Sequence, residues 1–535
     1  MTIGRARSVS LLGLNGISVD VEADVTSGLP AIRLVGLADR AVNEAIDRVR
    51  SAVANSGLAF PSQRLTISLS PAALPKSGSA FDLPIAIACL AAIGVVPPAP
   101  REGTVFIGEL ALDGRLRPTA GILPSVLAAR QLGAVRVVVP AANADEARLV
   151  SGITVVGVAS LREAAVSCGA ELEILDVEPL RHAVGRGDGA AGSSGATGLS
   201  GSGSQTPASQ ESASQEPPSL DLADIIGLDS AIEALIVAAT GGHNIFMVGP
   251  PGAGKTMLAS RLPGILPPLD EEHALEVATI RSLVEGSRRE VKLATTPPFQ
   301  APHHSLSAAG MVGGGPGIVR PGVATQAHRG VLFLDEAPEF ATNVLDSLRQ
   351  PLESGLIALQ RAAFSVDFPS DFQLVLAANP CPCGQSSASN DVKCTCTSVQ
   401  RLRYLSRLSG PLMDRVDIHL TVPRATTVIR DELTRVTTTA DARSRVQAAR
   451  DIALSRWGGL CNARVAGTQL RGAGYRLPRA VTSAIDESLQ RGGITLRGYD
   501  RALRLAWSLA DLDGTTTPNA DHIGRALYLR KGIPQ

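Results

Sequence analysis

The sequence predicts a multidomain chain that joins an α+β module to a three-layer α/β sandwich and a helical C-terminal region. Three observations predict this fold class. A glycine-rich loop at 249–256 lies between an apolar strand and a helix, and a second apolar strand at 330–336 ends in two carboxylates. Residues 425–535 have helical periodicity broken by glycine pairs. Alternation of strand, loop and helix over 220–424 is typical of a parallel sheet covered by helices. In this region we predict helices at 222–240 and 343–353 and a hairpin at 357–368.

Composition limits the number of domains, the possible contacts with DNA and the cellular compartment that we expect. The 535 residues are enough for three or four domains, and a hydrophobic content of 44% is enough for substantial cores. The net charge is zero, so any contact with DNA has to come from local loops or from a ring of subunits. No signal peptide is evident, and the longest apolar stretch, 83–96, is too short for a membrane span. Seven cysteines, four of them close together, fit a reducing compartment. We therefore expect a cytoplasmic protein without membrane contact.

A linker divides the chain. Residues 184–219 are rich in glycine and serine and have almost no apolar anchors, which predicts a flexible segment. It separates an N-terminal domain, 1–180, from an α/β core, 220–424, and a helical C-terminal region, 425–535, which would form a lid. In the N-terminal domain we predict a hairpin at 105–118 that turns at Asp113-Gly114. The other predicted elements there are strands at 16–22, 31–35, 65–69 and 135–139 and helices at 38–56 and 142–149.

The loop at 249–256 has the phosphate-binding spacing G-x-x-x-x-G-K-[ST]. Its backbone N–H groups close around the phosphates of ATP, Lys255 reaches the β and γ oxygens, and Thr256 binds Mg²⁺. Asp335 is the second predicted Mg²⁺ ligand, and Glu336 orients or deprotonates the attacking water. A glycine turn without a ligand is the alternative, and the paired acidic strand argues against it. The predicted nucleotide-binding residues are Gly249, Pro250, Pro251, Gly252, Ala253, Gly254, Lys255, Thr256 and Asp335.

Two polar residues farther along extend the predicted catalytic set. Asn379 follows the next apolar strand, where an amide can position the attacking water, although asparagine is also a common turn residue. Arg415 lies in a polar loop from which a guanidinium can reach the γ-phosphate of a neighbouring subunit. The alternative for Arg415 is a local salt bridge with Asp414 or Asp417.

One arginine of the lid completes the set. Arg497 stands at the start of a late helix, from which it can sense the nucleotide phosphate. Arg501 and Arg504 lie on the same segment and compete for this role.

With these residues in place, the chain closely resembles the ComM/YifB family of magnesium-chelatase-like AAA+ ATPases. The resemblance covers nearly the whole chain except the linker. Besides 249–256, the stretches that carry it are Gly-Gly-His-Asn at 241–244, Leu-Pro-Gly-Ile-Leu-Pro-Pro-Leu at 262–269, Ala-Pro-His-His-Ser at 301–305, Val-Gly-Gly-Gly at 312–315, Phe-Leu-Asp-Glu-Ala-Pro-Glu-Phe at 333–340, Leu-Arg-Gln-Pro-Leu-Glu at 348–353, Asn-Pro-Cys-Pro-Cys-Gly at 379–384 and Leu-Ser-Gly-Pro-Leu-Met-Asp-Arg-Val-Asp at 408–417.

The resemblance implies a homo-hexameric ring with ATP and Mg²⁺ between subunits. Lys255, Glu336 and Asn379 would act from one subunit and Arg415 from the next. It also implies that the segments 357–368 and 304–315 point toward the ring pore. Family members are known as DNA helicases that aid branch migration in natural transformation, so DNA is the expected partner. The alternative is a motor that remodels a partner protein or drives metal chelation.

The N-terminal domain resembles the proteolytic domain of Lon-type proteases, which use a Ser–Lys dyad. The resemblance places Ala80 at the nucleophile position and Leu123 at the position of the lysine. Neither can perform that chemistry, so we expect a binding or assembly module. Ser79, one residue early, with Lys76 as its base is the remaining route to proteolysis.

Four cysteines follow Asn379 with the spacing C-x-C-x₁₀-C-x-C. Thiolates at Cys381, Cys383, Cys394 and Cys396 can close a tetrahedral structural Zn²⁺ site, and nearby prolines supply the turns that this spacing needs. Free thiols and a redox pair are the alternatives.

Overall fold

The structure is a computed structural model that describes residues 3–36, 40–71, 79–97, 103–181, 220–286, 291–315, 319–361, 365–386, 394–424 and 436–531. The predicted linker, 184–219, lies outside these ranges. The domain boundaries drawn from that linker therefore stay predictions.

The N-terminal region forms one mixed sheet of seven strands. Its strands and the two short strands beside it are β1 (Gly4–Leu12), β2 (Asn15–Thr26), β3 (Ala31–Val35), β4 (Arg64–Ser70), β5 (Thr104–Phe106), β6 (Glu109–Leu110), β7 (Leu116–Arg117), β8 (Arg136–Pro140) and β9 (Thr154–Val158). The sheet order is β3-β4-β2-β1-β5-β8-β9, parallel from β1 to β9 and antiparallel across β4-β2-β1. β6 and β7 form a separate ribbon whose turn lies at Gly114, with φ of 86°, as predicted.

Helices cover both faces of this sheet. They are α1 (Arg40–Asn55), α2 (Asp82–Ala92), α3 (Ile122–Gln131), α4 (Ala144–Arg148) and α5 (Leu161–Ser167). Val138 packs in the core that contains α1, α2 and α5, whereas Val137 and Val139 pack in the core that contains α3 and α4. The alternation follows from the two-residue period of a strand. The predicted helix at 38–56 and the predicted strands correspond to these elements within a few residues.

The strand β1 was not predicted, although it lies inside the sheet. Its buried positions include the small side chains of Ala6 and Ser8, so the apolar alternation that marks a strand is weak. On the other face Arg5 forms an ion pair with Glu22, and Arg7 forms one with Asp20 on the neighbouring strand. The ion pairs with the neighbouring strand therefore indicate the position of β1 in the sheet more clearly than its own apolar pattern does.

The ATPase core is built on a parallel sheet of five strands. The strands of this region are β10 (Ile245–Val248), β11 (Phe299–Gln300), β12 (Gly313–Gly314), β13 (Arg320–Pro321), β14 (Val331–Leu334), β15 (Leu356–Gln360), β16 (Ser365–Pro369), β17 (Gln373–Ala378) and β18 (Ile418–Thr421). The order is β11-β14-β17-β10-β18, and every pairing is parallel. β12 pairs with β13, and β15 pairs with β16 as the predicted hairpin.

Helices sandwich this sheet. They are α6 (Asp229–Gly241), α7 (Lys255–Ile265), α8 (Glu271–Glu285), α9 (Ala308–Val312), α10 (Val323–Gln326), α11 (Thr342–Ser347), α12 (Arg349–Ser354), α13 (Ser398–Leu405) and α14 (Gly410–Met413). Phe333 and Val375 face the core that contains α6 and α7, and Leu332 and Leu374 face the core that contains α9 to α12. The predicted three-layer α/β sandwich is confirmed.

Two helix predictions need correction. The predicted helix at 222–240 begins only at Asp229, because Gly227 adopts a φ of 75° that no α-helix continues. The predicted helix at 343–353 is two short helices that meet at Leu348. Pro351 lacks the N–H that would bond to the carbonyl of Ser347, so a continuous ladder cannot form there.

The C-terminal region is helical, as predicted. Its helices are α15 (Thr439–Trp457), α16 (Gly467–Leu470), α17 (Arg479–Gln490), α18 (Leu496–Leu512) and α19 (Ala520–Lys531). Their apolar side chains share one core with α6 and α7. Arg456 stacks 4.4 Å from the ring centroid of Trp507 and pairs with buried Asp511. Within the described residues, no helix is both long and apolar enough to cross a membrane.

A buried polar contact joins the N-terminal region to the ATPase core. The Ser282 hydroxyl on α8 donates to the Glu146 carboxylate on α4 and accepts from the N–H of Leu123 at 3.2 Å. Glu146 also accepts from Asn143 at 3.1 Å, and the N–H of Gly121 donates to the Ser282 carbonyl at 2.9 Å. Since these groups are removed from water, each needs its partner. The start of α3 is thereby fastened to α8.

We expect Glu146→Ala to loosen this contact, because it leaves a buried hydroxyl and amide short of acceptors, at a cost of about 2–4 kcal/mol. Hydrogen exchange measured by mass spectrometry should become faster in α3 and α8 together. Asp145→Ala is the matched control, since Asp145 is exposed and its ion-pair partner among the described residues is nearby Arg148. Unchanged exchange in α8 of the Glu146 variant would contradict the proposed fastening.

Candidate nucleotide-binding site

The predicted phosphate-binding loop forms the turn between β10 and α7. Gly252 and Gly254 have φ values of 75° and 90°, in the region that side chains disfavour. Gly249 is needed for a different reason, since a Cβ there would lie 2.3 Å from the carbonyl oxygen of Val422. The glycines of the motif therefore match the positions where this backbone turns sharply or approaches its neighbour.

Lys255 lies at the centre of the loop. Its Nζ donates to the carbonyl of Gly249 at 2.6 Å, the carbonyl of Pro250 at 3.2 Å and Oδ1 of Asn379 at 3.1 Å. Burial lowers the pKa of Lys255, and the two carboxylates at the end of β14 act against that shift. A largely buried ammonium held by exchangeable oxygen partners is well suited to bind a phosphate.

The two predicted Mg²⁺ ligands are also brought together. Thr256 Oγ1 donates to Asp335 Oδ2 at 2.8 Å, across the gap between α7 and the end of β14. A hydroxyl and a carboxylate are the hard oxygen donors that Mg²⁺ prefers beside phosphate. These residues therefore fit the ATP and Mg²⁺ that a phosphate-binding loop requires.

Glu336 has an unusual backbone. Its φ of 50° and ψ of 42° are left-handed, which is uncommon for a residue other than glycine. The side chain is half exposed, and its Oε2 lies 3.6 Å from Nδ1 of His304. Because the carboxylate of Glu336 is half exposed, water can reach it.

Arg415 is more enclosed than expected. Its side chain is 13% exposed, and the guanidinium pairs with Glu353 and donates to the Pro411 carbonyl. Sequence reasoning considered Asp414 and Asp417 as partners and missed Glu353, because a contact between α12 and the segment before β18 depends on the fold.

A cavity of about 200 Å³ lies beside Arg415. Arg497 also lines it, is 73% exposed and lies 3.9 Å from Asp414. The competing arginines line the same cavity but have partners of their own: Arg501 pairs with Asp417, and Arg504 Nε donates to the carbonyl of Val465 at 2.9 Å. The complete lining is Leu352, Glu353, Asp414, Arg415, Arg497, Asp500, Arg501 and Arg504, and it includes no residue of the phosphate-binding loop.

Sequence reasoning also missed the buried network around Asp417. His243 Nδ1 lies 3.3 Å from Asp417, and the N–H of Asn244 donates to it at 3.2 Å. Burial favours a raised pKa, but the charge of Arg501 and the His243 hydrogen bond outweigh it and hold the pKa of Asp417 well below its usual range. Asn244 also donates to the carbonyl of Arg415 at 2.9 Å. The stretch 241–244 carries part of the family resemblance, and its polar residues are the sequence signal that could have indicated this network.

The two segments expected to face a pore contact each other. Arg361, at the end of β15, donates to the carbonyl of Gly315, which follows β12. A Cβ on Gly313 would lie 3.3 Å from the side chain of Leu359. The tip of the hairpin, 362–364, and residues 316–318 lie outside the described ranges.

The site that resembles a Ser–Lys dyad has other partners here. Ser79 donates to the carboxylate of Glu109, and Leu123 is fully buried against α8. Lys76 lies outside the described residues. The expectation of a module without proteolytic activity stays a prediction.

The four clustered cysteines meet in space. Their sulfur atoms all lie within 4.8 Å of one another, with Cys381 buried and Cys383, Cys394 and Cys396 partly exposed. Such a cluster is compatible with a metal ion.

Comparison with known families defines the class of protein. The family model of the magnesium chelatase subunit ChlI matches residues 221–429. Models of ChlI and of its C-terminal part match 21–143 and 436–530. Together with the parallel sheet and the phosphate-binding loop, these matches place the chain among the magnesium-chelatase-like AAA+ proteins.

Relatives over the full length specify the family. An uncharacterized protein of Mycobacterium tuberculosis is 45% identical over 99% of both chains. The uncharacterized protein YifB of Escherichia coli is 37% identical over 99% of this chain and 97% of its own. The competence protein ComM of Haemophilus influenzae is 37% identical over 99% and 98%. The chain belongs to the YifB/ComM family.

Shorter matches concern parts of the chain. The DNA repair protein RadA of Bacillus subtilis is 40% identical over 85 residues, covering 16% of this chain and 18% of its own. A Lon protease of Salinispora arenicola is 28% identical over 147 residues, covering 26% and 19%. The latter supports a similarity of part of this chain to Lon-type proteases.

We expect Lys255→Ala to weaken ATP binding by about 10–100-fold, because at least one charge-assisted phosphate contact is lost. Titration of the full chain with a fluorescent ATP analogue and Mg²⁺ measures the effect. Lys292→Ala, which changes an exposed lysine outside the site, should bind like the unaltered protein. Equal affinity of the Lys255 variant would show that the loop does not hold phosphate.

Proposed function

We propose that this chain is an ATP-hydrolysing motor that assembles into a homo-hexameric ring and moves along DNA, promoting branch migration during recombination. The observation that carries the proposal is the division of the predicted catalytic residues into two places. Lys255, Thr256, Asp335 and Asn379 contact one another, whereas Arg415 and Arg497 line a cavity that the phosphate-binding loop does not share.

The chemistry of phosphoryl transfer explains why this division matters. Charge develops on the transferred phosphate, and a guanidinium that approaches it accelerates the reaction strongly. Since Arg415 and Arg497 lie together in their own cavity, we assign both to the nucleotide of the adjacent subunit. ATP would then bridge two chains, and hydrolysis would change the interface between them.

The assigned roles follow from this arrangement. Lys255 binds the β and γ phosphates, Thr256 and Asp335 hold Mg²⁺, and Asn379 and Glu336 position the attacking water. Glu336 acts as the general base, because its half-exposed carboxylate directly follows the Mg²⁺ ligand Asp335 and is open to water. Arg415 stabilises the charge of the transition state, and Arg497 reports the presence of the γ-phosphate to the helical region.

DNA is the proposed substrate for two reasons. Relatives of the chain are named as a competence protein and, over a short region, as a DNA repair protein. The hairpin of β15 and β16 also carries Arg361 next to its tip, and six copies of an arginine around a channel can follow a phosphate backbone. We place this activity in the cytoplasm.

The second candidate is a motor that remodels a partner protein or drives metal chelation. The family description names magnesium chelatase, and the hairpin exposes Leu356, an apolar side chain that suits a polypeptide better than a phosphate backbone. The two candidates share the ATPase chemistry and differ in what the hairpin contacts.

An experiment with mixed subunits tests the shared site. Lys255→Ala and Arg415→Ala should each be inactive alone, but an equimolar mixture should regain up to about a quarter of the normal ATPase rate, since one interface in four combines an intact loop with an intact arginine. Steady-state phosphate release measures the rate. Absence of any recovery, with exchange of subunits shown by labelled chains, would place the complete site within one chain.

The choice of substrate is tested by DNA-dependent ATPase activity. We expect single-stranded or branched DNA to raise the rate, Glu336→Gln to lower it by about 100-fold or more while ATP still binds, and Arg361→Ala to reduce the stimulation but not the basal rate. Gln360→Ala, at the neighbouring position of the hairpin, is the matched control because it removes no charge. An ATPase insensitive to every form of DNA would favour the second candidate.

A further inference from the structure

The cysteine cluster after β17 has the dimensions of a metal site. Sulfur atoms of Cys381 and Cys383 lie 3.4 Å apart, those of Cys381 and Cys394 lie 3.7 Å apart, and those of Cys383 and Cys394 lie 3.6 Å apart. Four thiolates about 2.3 Å from a tetrahedral Zn²⁺ are separated from one another by about 3.8 Å. Sulfurs joined in a disulfide are only about 2.05 Å apart. These three separations match the edges of one face of a zinc tetrahedron, and the sulfur of Cys396 lies within 4.8 Å of the other three.

The backbone of the loop turns in a way that allows a C-x-C pair to surround a metal ion. In a regular strand Cys381 and Cys383 would lie on one face without wrapping around an ion. Here the N–H of Gly384 donates to the carbonyl of Cys381 at 2.9 Å, and Gly384 has a φ of 71°, so the chain turns immediately after the first pair. Cys381 is fully buried. A buried thiol surrounded by three others is the environment of a ligand.

We propose that Cys381, Cys383, Cys394 and Cys396 bind one Zn²⁺ and that this metal holds the loop against the nucleotide site. Four thiolates favour a soft or borderline ion with tetrahedral geometry, which among the common divalent cations selects Zn²⁺ over Mg²⁺ or Ca²⁺. Sulfurs this close enclose a single ion and leave no room for a cluster of several irons.

The first half of the loop touches the phosphate-binding loop directly. A Cβ on Gly384 would lie 2.7 Å from both Cγ and Cδ of Pro251 and 3.9 Å from Cγ of Asn379. Backbone of the cysteine loop therefore lies against the residues that surround Lys255. A metal bound to Cys381 and Cys383 fixes this contact.

The second half leads into α13, which reaches the catalytic strands. Arg401 Nε donates to the carbonyl of Cys396 at 3.3 Å, and Thr397 caps the helix. Farther along, Arg407 pairs with Glu339, close to the acidic end of β14. Tyr404, buried on the same helix, contacts the backbone of Asn379. The metal would thus connect the phosphate-binding loop, Asn379 and α13.

Metal analysis of the full chain, purified without chelator, tests the site itself. We expect about one zinc per chain by elemental analysis, and an absorption spectrum typical of tetrahedral cobalt thiolate after replacement by Co²⁺. Cys394→Ser should bind zinc at least about 10–100-fold more weakly, because loss of a direct ligand costs no less than loss of a residue that only orients a ligand. Cys461→Ser, which changes a partly exposed cysteine outside the cluster, should keep its zinc.

Less than about one zinc in ten chains, iron in place of zinc, or disulfides detected by mass in freshly prepared protein would overturn the metal assignment. The zinc content of the unaltered chain tests the metal assignment even if the Cys394→Ser variant does not fold.

The link to the nucleotide site rests on the proposed ATP binding and is tested separately. We expect removal of zinc by a chelator to weaken binding of a fluorescent ATP analogue by about tenfold, and readdition of Zn²⁺ to restore it. Gly384→Ala should retain zinc and still weaken ATP binding, because its Cβ displaces Pro251. If the purified chain holds its full complement of zinc but binds ATP equally well after the zinc is removed, the link alone is overturned. Failure of the zinc-loaded chain to bind ATP would instead overturn the proposed function.

Discussion

The central strand β10 pairs in parallel with β17 on one side and β18 on the other, and the catalytic geometry depends on this register. Val248 lies opposite Ala378 and Thr421, and Leu334 lies opposite Leu376 on the next pair of strands. Because the carboxyl ends of parallel strands meet at one edge, the phosphate-binding loop, Asp335 and Asn379 emerge together. A shift of one residue would turn Asn379 toward the opposite face of the sheet and separate it from Lys255.

In the proposed ring, each chain contributes two separate parts to nucleotide sites, and both parts are rich in charge. Lys255 and the carboxylates after β14 form a compact half, in which each charge already has oppositely charged or polar neighbours. The arginine-lined cavity forms the other half and is balanced by Glu353, Asp414 and Asp500. Asp417 supports this second half from within, since its buried carboxylate ties Arg501 of the helical region to the end of the sheet.

In the N-terminal region, the position that resembles the lysine of a catalytic dyad lies in the contact with α8. Leu123 stands where the resemblance expects a lysine, and its burial against α8 contributes to a core shared with the ATPase region. An ammonium at this position would be buried without a carboxylate of its own, since the nearby Glu146 already accepts from Ser282, Leu123 and Asn143. Leu123 therefore suits this packed contact better than a lysine would.

The phosphate-binding loop could be predicted from the sequence alone, as could the acidic pair and the candidate metal site of the four cysteines. The reason is that turns, charges and ligand sets are encoded in a few residues that lie close together in the chain. The helical C-terminal region and most strands also followed from periodicity. Only the tertiary structure decided that Arg415 pairs with Glu353, that β1 lies within the sheet and that Ser282 fastens α8 to Glu146, 136 residues earlier. Each of these depends on residues far apart in the chain, whose meeting is set by packing of whole elements and leaves no periodic or local signal in the sequence.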